Sequence, residues 1–299
     1  MKRLLILSGK GGTGKTTLAV AFIKLSNAKA YADCDVDAPN LHLIMNPESS
    51  AQKTDYYGLP KAEIDQSICV GCGLCAHYCK FGAIYRNSVY RVFVNAFACE
   101  GCGVCEAVCP KKAITMKDCV AGELMLYTGD AVFSTARLKM GSGTTGKLVA
   151  EVKNQLNEQA NNADFAVIDG SPGIGCPVIA SMSGVDMALI VAEPTLSGIS
   201  DMKRILKTAS FFGVKTAVCV NKYDVNEANT LKIEAFCKNN GIDFAGKIPY
   251  DNAVMKAVNE GKCITEISCP AGEAVRKVFM NTMKIMLYGV LDNDNKNIG

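Results

Sequence analysis

Two groups of residues in this chain have types and spacing suited to chemistry: a glycine-rich loop with two lysines near the N-terminus, and two runs of four cysteines. The loop reads Gly9-Lys10-Gly11-Gly12-Thr13-Gly14-Lys15-Thr16-Thr17. Gly9, Gly14, Lys15 and Thr16 occupy the fixed positions of the Walker A pattern, in which glycine backbone N–H groups curl around phosphate oxygens. Lys15 then offers a cation to the β and γ phosphates, and Thr16 offers a hydroxyl to Mg²⁺. Gly11, Gly12, Thr13 and Thr17 complete the candidate cradle. A glycine turn without a ligand is the plain alternative. The motif requires a strand before it and a helix after it, and residues 2–8 read as a strand while 16–25 read as a helix.

The cysteine runs are Cys69, Cys72, Cys75, Cys79 and Cys99, Cys102, Cys105, Cys109, each spaced Cys-x₂-Cys-x₂-Cys-x₃-Cys. Soft thiolate sulfur is what iron in an iron–sulfur cluster requires, and the interleaved Gly71, Gly73, Gly101 and Gly103 let backbone amides turn toward it. Zinc sites usually pair two Cys-x₂-Cys knuckles a dozen or more residues apart, which two tandem four-cysteine runs match poorly. The spacing resembles that of the bacterial two-cluster ferredoxins, in which the fourth cysteine of each run ligates the other cluster. The resemblance implies one [4Fe-4S] cluster on Cys69, Cys72, Cys75 and Cys109, and a second on Cys99, Cys102, Cys105 and Cys79. Lys80 follows Cys79, where that pattern has the proline seen after Cys109. His77 reads as an exposed loop residue and His42 as structural.

The elements that must hold these groups follow from the rhythm of the chain. A second strand is expected at 28–32, ending at Asp33-Cys34-Asp35-Val36-Asp37. The α/β rhythm breaks over about 64–116, where the cysteines lie, and 120–140 reads as extended strands or a hairpin. Helix 147–159, strand 164–168, strand 187–192, helix 198–211, strand 215–220, helix 226–239 and strand 244–248 follow. Alternation of this kind predicts a doubly wound, mostly parallel α/β sheet covered on both faces, with an inserted ferredoxin-like α+β segment. The expected division is 1–60 plus 118–299 for the nucleotide domain and 61–117 for the insert. A last helix at 273–290 places Val275, Val278, Phe279, Thr282, Met283 and Met286 on one stripe, read as packing against the sheet and not as a membrane-surface face.

Composition narrows the class. With 299 residues, 49% hydrophobic and 20% charged, the chain reads as a globular protein, and no stretch approaches the roughly 20 apolar residues that span a bilayer. A net charge of +3 without a long basic run gives little drive toward nucleic acid. Fifteen cysteines without a secretion signal point to metal or redox chemistry in the cytoplasm and not to a disulfide framework. Cysteines outside the runs, such as Cys219, read mostly as small buried hydrophobes.

Lys10 extends the Walker A loop into the deviant form of the MinD/ParA superfamily, which includes the nitrogenase iron protein and the Mrp-type cluster carriers. The resemblance implies a SIMIBI-like P-loop fold and an ATP-dependent homodimer in which Lys10 reaches the partner's nucleotide. It implies that Asp35 positions the attacking water, with Asp33 and Asp37 close enough to compete for that role. It further implies that Asp169 binds Mg²⁺ through water, that Gly170–Gly173 form a switch, and that Asn221 and the loop at Pro249 contact adenine. Asn221-Lys222-Tyr223-Asp224 also resembles the guanine signature of GTPases. Cys176, seven residues past Asp169, stands at the offset of a subunit-bridging cluster ligand in the iron protein, although 141–147 supplies no second cysteine. The expected activity is slow, partner-stimulated ATP hydrolysis coupled to electron transfer or cluster handling. A redox or iron–sulfur protein, or a paralogous ATPase, is the expected partner, with no nucleic acid and no membrane insertion. A positioning switch of the MinD/ParA kind, a cluster carrier and an interaction protein with a dead site are the alternatives.

Overall fold

The computed structural model describes residues 1–289. The chain opens with strand β1 (Lys2–Ser8), helix α1 (Lys15–Ser26) and strand β2 (Ala30–Asp33), followed by helix α2 (Leu41–Met45) and strand β3 (Gln52–Tyr57). The cysteine-rich stretch comprises β4 (Lys61–Ile64), α3 (Leu74–Tyr78), β5 (Ile84–Arg86), β6 (Val92–Val94), α4 (Val104–Ala107) and β7 (Ile114–Lys117). A hairpin, β8 (Val120–Tyr127) and β9 (Val132–Leu138), leads to α5 (Thr145–Gln159), β10 (Phe165–Asp169) and α6 (Cys176–Met182). The remainder is β11 (Met187–Ala192), α7 (Leu196–Phe211), β12 (Lys215–Asn221), α8 (Glu227–Asn239), β13 (Asp243–Ile248), α9 (Asn252–Asn259) and α10 (Pro270–Tyr288).

Among the described residues the main sheet has nine strands in the order β13-β12-β11-β1-β10-β2-β9-β8-β3. Pairing is parallel from β13 through β9 and antiparallel where β8 meets β9 and β3. Side chains alternate across a strand, so a sheet covered on both faces needs apolar residues at every position of its central strands. In β1, Leu5 and Leu7 enter one core with α5, α6, α7 and α8, while Leu4 and Ile6 enter the other with α1 and α10. Since β1 lies between β10 and β11, the loop after it opens at the centre of the sheet's carboxyl edge, where ligands bind in open α/β sheets.

The cysteine-rich stretch leaves the sheet after β3 and returns to it at β8. β4 pairs with β7 from Lys61↔Lys117 to Ile64↔Ile114, and β5 pairs with β6. Its small core combines Ala62, Ala83, Ile84, Val92 and Ile114 with Cys75, Cys99 and Cys105.

Several elements differ from the expectations. β2 starts at Ala30 because Asn27, in the left-handed region, ends α1 and the Ala28 N–H closes back on the Ile23 carbonyl. α2, α6 and α9 are short, and β3 is a polar edge strand with a single buried residue, Tyr56, so none carries a strong periodic signal. α10 starts at Pro270, where the Cys269 sulfur accepts the Gly272 N–H, and it buries Val275, Val278 and Thr282 on the sheet together with Ile285. Val290, the last residue of the expected helix, lies outside the described residues. Cys219 is buried as expected, but Cys119 is exposed, and Cys176, read apart from the core cysteines, is exposed as well. Among the described residues no helix is long and apolar enough to cross a membrane.

One buried cation fixes the helix that follows β10. The Lys153 ammonium on α5 donates to the carbonyls of Ala180 (2.9 Å), Ser181 (2.7 Å) and Ser183, the open end of α6. Burial draws its pKa down to about 8. Lys153→Met should leave those carbonyls without a donor and lower stability by about 1–3 kcal/mol. An unchanged urea midpoint would contradict this assignment.

Candidate functional site

The loop after β1 turns through Gly12 (φ 79°) and Gly14 (φ 88°), a left-handed backbone that glycine adopts without a steric penalty. A Cβ on Gly14 would also lie 2.4 Å from the Asn221 side-chain nitrogen. Lys15 and Thr16, at the start of α1, both reach Asp169 at the end of β10: Lys15 Nζ at 2.5 Å and Thr16 Oγ1 at 2.7 Å. Burial works against the Lys15 charge, but Asp169, with Asp33 and Asp35 behind it, more than offsets this and holds the Lys15 pKa above its ordinary value. The sheet register places the pair, since Ile6 of β1 lies beside Asp169 of β10. The Thr13 hydroxyl is buried and has no hydrogen-bond partner among the described residues, as expected for a cradle shaped for a polar ligand.

The three aspartates after β2 separate by environment. Asp33 is 1% exposed, and its two oxygens accept the backbone N–H groups of Asp35, Asn40 and Leu41, each at 3.0 Å. Burial and the Asp169 carboxylate push its pKa up to about 7. Asp37 is exposed, whereas Asp35 is half-buried within the field of Lys15. Burial, opposed by Lys15, raises the Asp35 pKa. Asp33 thus organises the loop, which leaves Asp35 as the half-buried carboxylate within the field of Lys15.

Three contacts join the loops around this point. Cys34 N–H donates to Asp169 O (2.8 Å), the Ser171 hydroxyl donates to Cys34 O, and Gly173 N–H donates to Ser8 O (3.0 Å). Lys10 pairs with Glu193 of its own chain at 3.1 Å, and Glu193 also accepts Lys222 at 2.7 Å. Partial burial disfavours the Glu193 charge, but the two ammonium groups prevail and lower its pKa. Glu193 was not legible as a site residue: a single carboxylate after a buried strand belongs to no motif.

Beside the cradle lies a cavity of about 400 Å³ lined by Gly12, Thr17, Asn221, Pro249 and Tyr250 among others, within the size range of small-molecule sites. Asn221 borders it while donating from Nδ2 to Thr13 O (2.7 Å) and accepting Lys222 N–H (3.0 Å). Gly9 and Gly11 lie on the loop's outer turn, where a Cβ on Gly9 would strike Asp201 of α7.

The eight cysteines of the two runs stand around two further, small cavities. Cys69, Cys72, Cys75 and Cys109 line the first, and Cys79, Cys99, Cys102 and Cys105 line the second. Each run therefore gives three thiols to one cavity and its fourth to the other. Gly71, Gly73, Gly101 and Gly103 all have positive φ, and Ala113 N–H donates to Cys109 Sγ at 3.3 Å. Among the described residues no three His, Cys, Asp or Glu side chains converge on a single ion. Cys176 stands apart at the start of α6, packed against Gly146 of α5.

Comparison with known proteins gives a consistent set of relatives. The model of the CobQ/CobB/MinD/ParA nucleotide binding domain matches residues 4–264. The uncharacterized protein MJ0578 of Methanocaldococcus jannaschii is 30% identical over 284 residues, which cover 93% of this chain and 95% of that one. An iron-sulfur cluster carrier protein of the same organism is 23% identical over 92% of this chain and 82% of its own. Among solved structures, the septum site-determining protein MinD complexed with Mg-ADP from Pyrococcus horikoshii aligns with a TM-score of 0.56 at 20% identity, covering 95% of this chain and 96% of that one.

The environment of Asp33 has a consequence for pH. A carboxyl whose pKa rises on folding binds its proton more tightly in the fold. Its stabilising contribution is therefore complete below the ordinary value of 3.8 and is lost as pH rises through about 7. Asp33→Asn should flatten the decline in stability between about pH 4 and pH 7 in urea titrations of the metal-free protein. Parallel pH profiles for parent and variant would contradict the assignment.

Proposed function

Because the chain belongs to the CobQ/CobB/MinD/ParA nucleotide-binding family, we propose that it is an ATPase whose nucleotide-driven homodimerisation is coupled to electron transfer or cluster handling by two [4Fe-4S] clusters in an inserted segment spanning 61–117. The observation that carries this reading is the crossed lining of the two cysteine cavities, with Cys109 joining the first run and Cys79 the second. Four thiols per cavity, glycine turns that aim amides inward and an amide already on Cys109 Sγ suit a cluster's soft, anionic surroundings. When bound, such clusters supply one-electron redox chemistry.

In the nucleotide site, ATP phosphates take the place that Asp169 now occupies on Lys15. Thr16 and Asp169 would hold Mg²⁺, which supplies charge neutralisation at the phosphates, while Gly9 through Thr17 would wrap the phosphates and Asn221 and Pro249 would border the base. Asp35 orients the water that attacks the γ phosphorus, and the bond to the β–γ bridging oxygen breaks as ADP leaves. Positioning and charge neutralisation do most of the work in phosphoryl transfer. Lys10 leaves Glu193 to reach the nucleotide of the second copy, so closure of the dimer and completion of the site coincide. The Mg-ADP in the P. horikoshii MinD structure and the iron-sulfur carrier among the relatives agree with the two halves of this reading. Transfer of a cluster through the C-terminal cysteines is disfavoured, because Cys263 is buried and Cys269 caps α10.

Anaerobically prepared protein should contain iron and sulfide matching two four-iron clusters per chain. Cys72→Ser and Cys102→Ser should each lose about half of the iron. A chain that turns over ATP without iron would be a positioning-type switch and would overturn the cluster half. Lys10→Ala should lower phosphate release by about 10²-fold, as loss of one transition-state donor does, and should abolish ATP-dependent dimers in light scattering. A loss smaller than about threefold would contradict the role given to Lys10.

A further inference from the structure

The two cysteine runs are internally equivalent, and four of the differences between them bear on the charge or lining of the two cavities. Counted from their first cysteines, Val70 corresponds to Glu100, Ala76 to Glu106, Phe81 to Lys111 and Arg86 to Met116. Val70 and Lys111 line the first cavity, whereas Glu100, Phe81 and Met116 line the second. Arg86 lies over the first run. Its guanidinium donates to Gly71 O, sits 5.0 Å from the centre of the Tyr90 ring and comes within 3.6 Å of where a Cβ on Gly73 would be. Gly103, the equivalent of Gly73, has no heavy atom within 4 Å of that point.

The remaining neighbours do not cancel this contrast. Near the first cavity the acid is Asp65, exposed, with its carboxylate turned to Ser67. Near the second, Lys61 donates to Cys99 O at 2.5 Å, and Glu106 accepts Met116 N–H at 3.3 Å. Lys112 follows Lys111 at the first cavity and Lys80 follows Cys79 at the second, so the contrast lies in Arg86 and Lys111 at the first cavity and in Glu100 and Glu106 at the second. Adding an electron makes a cluster more negative, so a nearby cation favours reduction and a nearby carboxylate opposes it.

We infer that the two clusters are inequivalent: the one on Cys69, Cys72, Cys75 and Cys109 is reduced first, and Arg86 and Lys111 set that order. The inference rests on the cluster reading proposed above. Reduction by dithionite adds one electron to the first cluster, with no bond made or broken and no proton required. The second cavity lies on the side of the main sheet. A Cβ on Gly101 would meet Pro60 O at 2.5 Å, and Phe97 stands against Gly141. An electron arriving there would move downhill to the first cluster, beside Val70 and Tyr90.

The test is an anaerobic potentiometric titration with dithionite, followed by electron paramagnetic resonance, on full-length protein of measured iron content. The parent should show two separate midpoints. Arg86→Met and Lys111→Phe, each of which installs the residue of the other site, should lower only the higher midpoint. Each should shift the reduced-to-oxidised ratio about tenfold at fixed potential, equivalent to ~59 mV for one electron. Glu100→Val should raise only the lower midpoint. Coincident midpoints in fully loaded protein, or variants that leave the midpoints unmoved, would overturn the inference while leaving the cluster reading intact. Iron well below two clusters per chain would overturn both.

Discussion

The buried contact of Lys15 and Thr16 with Asp169 joins the phosphate loop to the loop that follows β10, and the geometry of the sheet's carboxyl edge depends on it. It exists because β1 and β10 are parallel neighbours, which brings a loop from the start of the chain beside a carboxylate more than 150 residues later. A buried ion pair contributes little net stability, since desolvation offsets most of the attraction, but removing one partner leaves an uncompensated charge and is costly. Lys15 therefore requires an anion, either Asp169 or a phosphate. That exchange would free Asp169 and tug on the contacts beside it, where Cys34, Ser171 and Gly173 tie three loops together.

The cysteine segment stands near this arrangement without belonging to it. Its strands β4 and β7 close on each other, so the chain leaves and re-enters the large sheet at one place. On its sheet side the second cysteine run abuts the loop before α5: Phe97 faces Gly141, and the Glu100 carboxylate lies 3.6 Å from a Cβ position on Gly143. From α5, Gly146 touches Cys176 at the start of α6, and Lys153 holds the other end of that helix. Contacts thus run continuously from the second cavity to the segment that follows Asp169. Small residues at 141, 143 and 146 allow that close approach.

The legible part of the molecule was that in which chemistry imposes spacing on the chain. The phosphate loop needs glycines at left-handed positions, and Gly12 and Gly14 adopt them. The cysteine runs carry their own register, and the cavities gather the four cysteines expected for each. The central strands were readable because both their faces are buried. Three aspartates at alternate positions do not reveal which of them is buried and organises the loop; burial and backbone contacts set Asp33 apart from Asp35. Glu193 comes to Lys10 only through tertiary structure, so no local pattern announces it. β3 is polar because its outer face meets solvent, and α6 is too short for a helical period to emerge. Cys119 shows that a lone cysteine's burial cannot be judged from its apolar character alone.

Under the proposed function, nucleotide state and cluster state act on each other within one chain. The most direct measurement is the steady-state rate of ATP hydrolysis by fully iron-loaded protein, in anaerobic samples that differ only in whether the clusters are oxidised or reduced. Coupling requires different rates in the two states, and loss of that difference when Cys102 is replaced by Ser. Equal rates in the oxidised and reduced protein would contradict it.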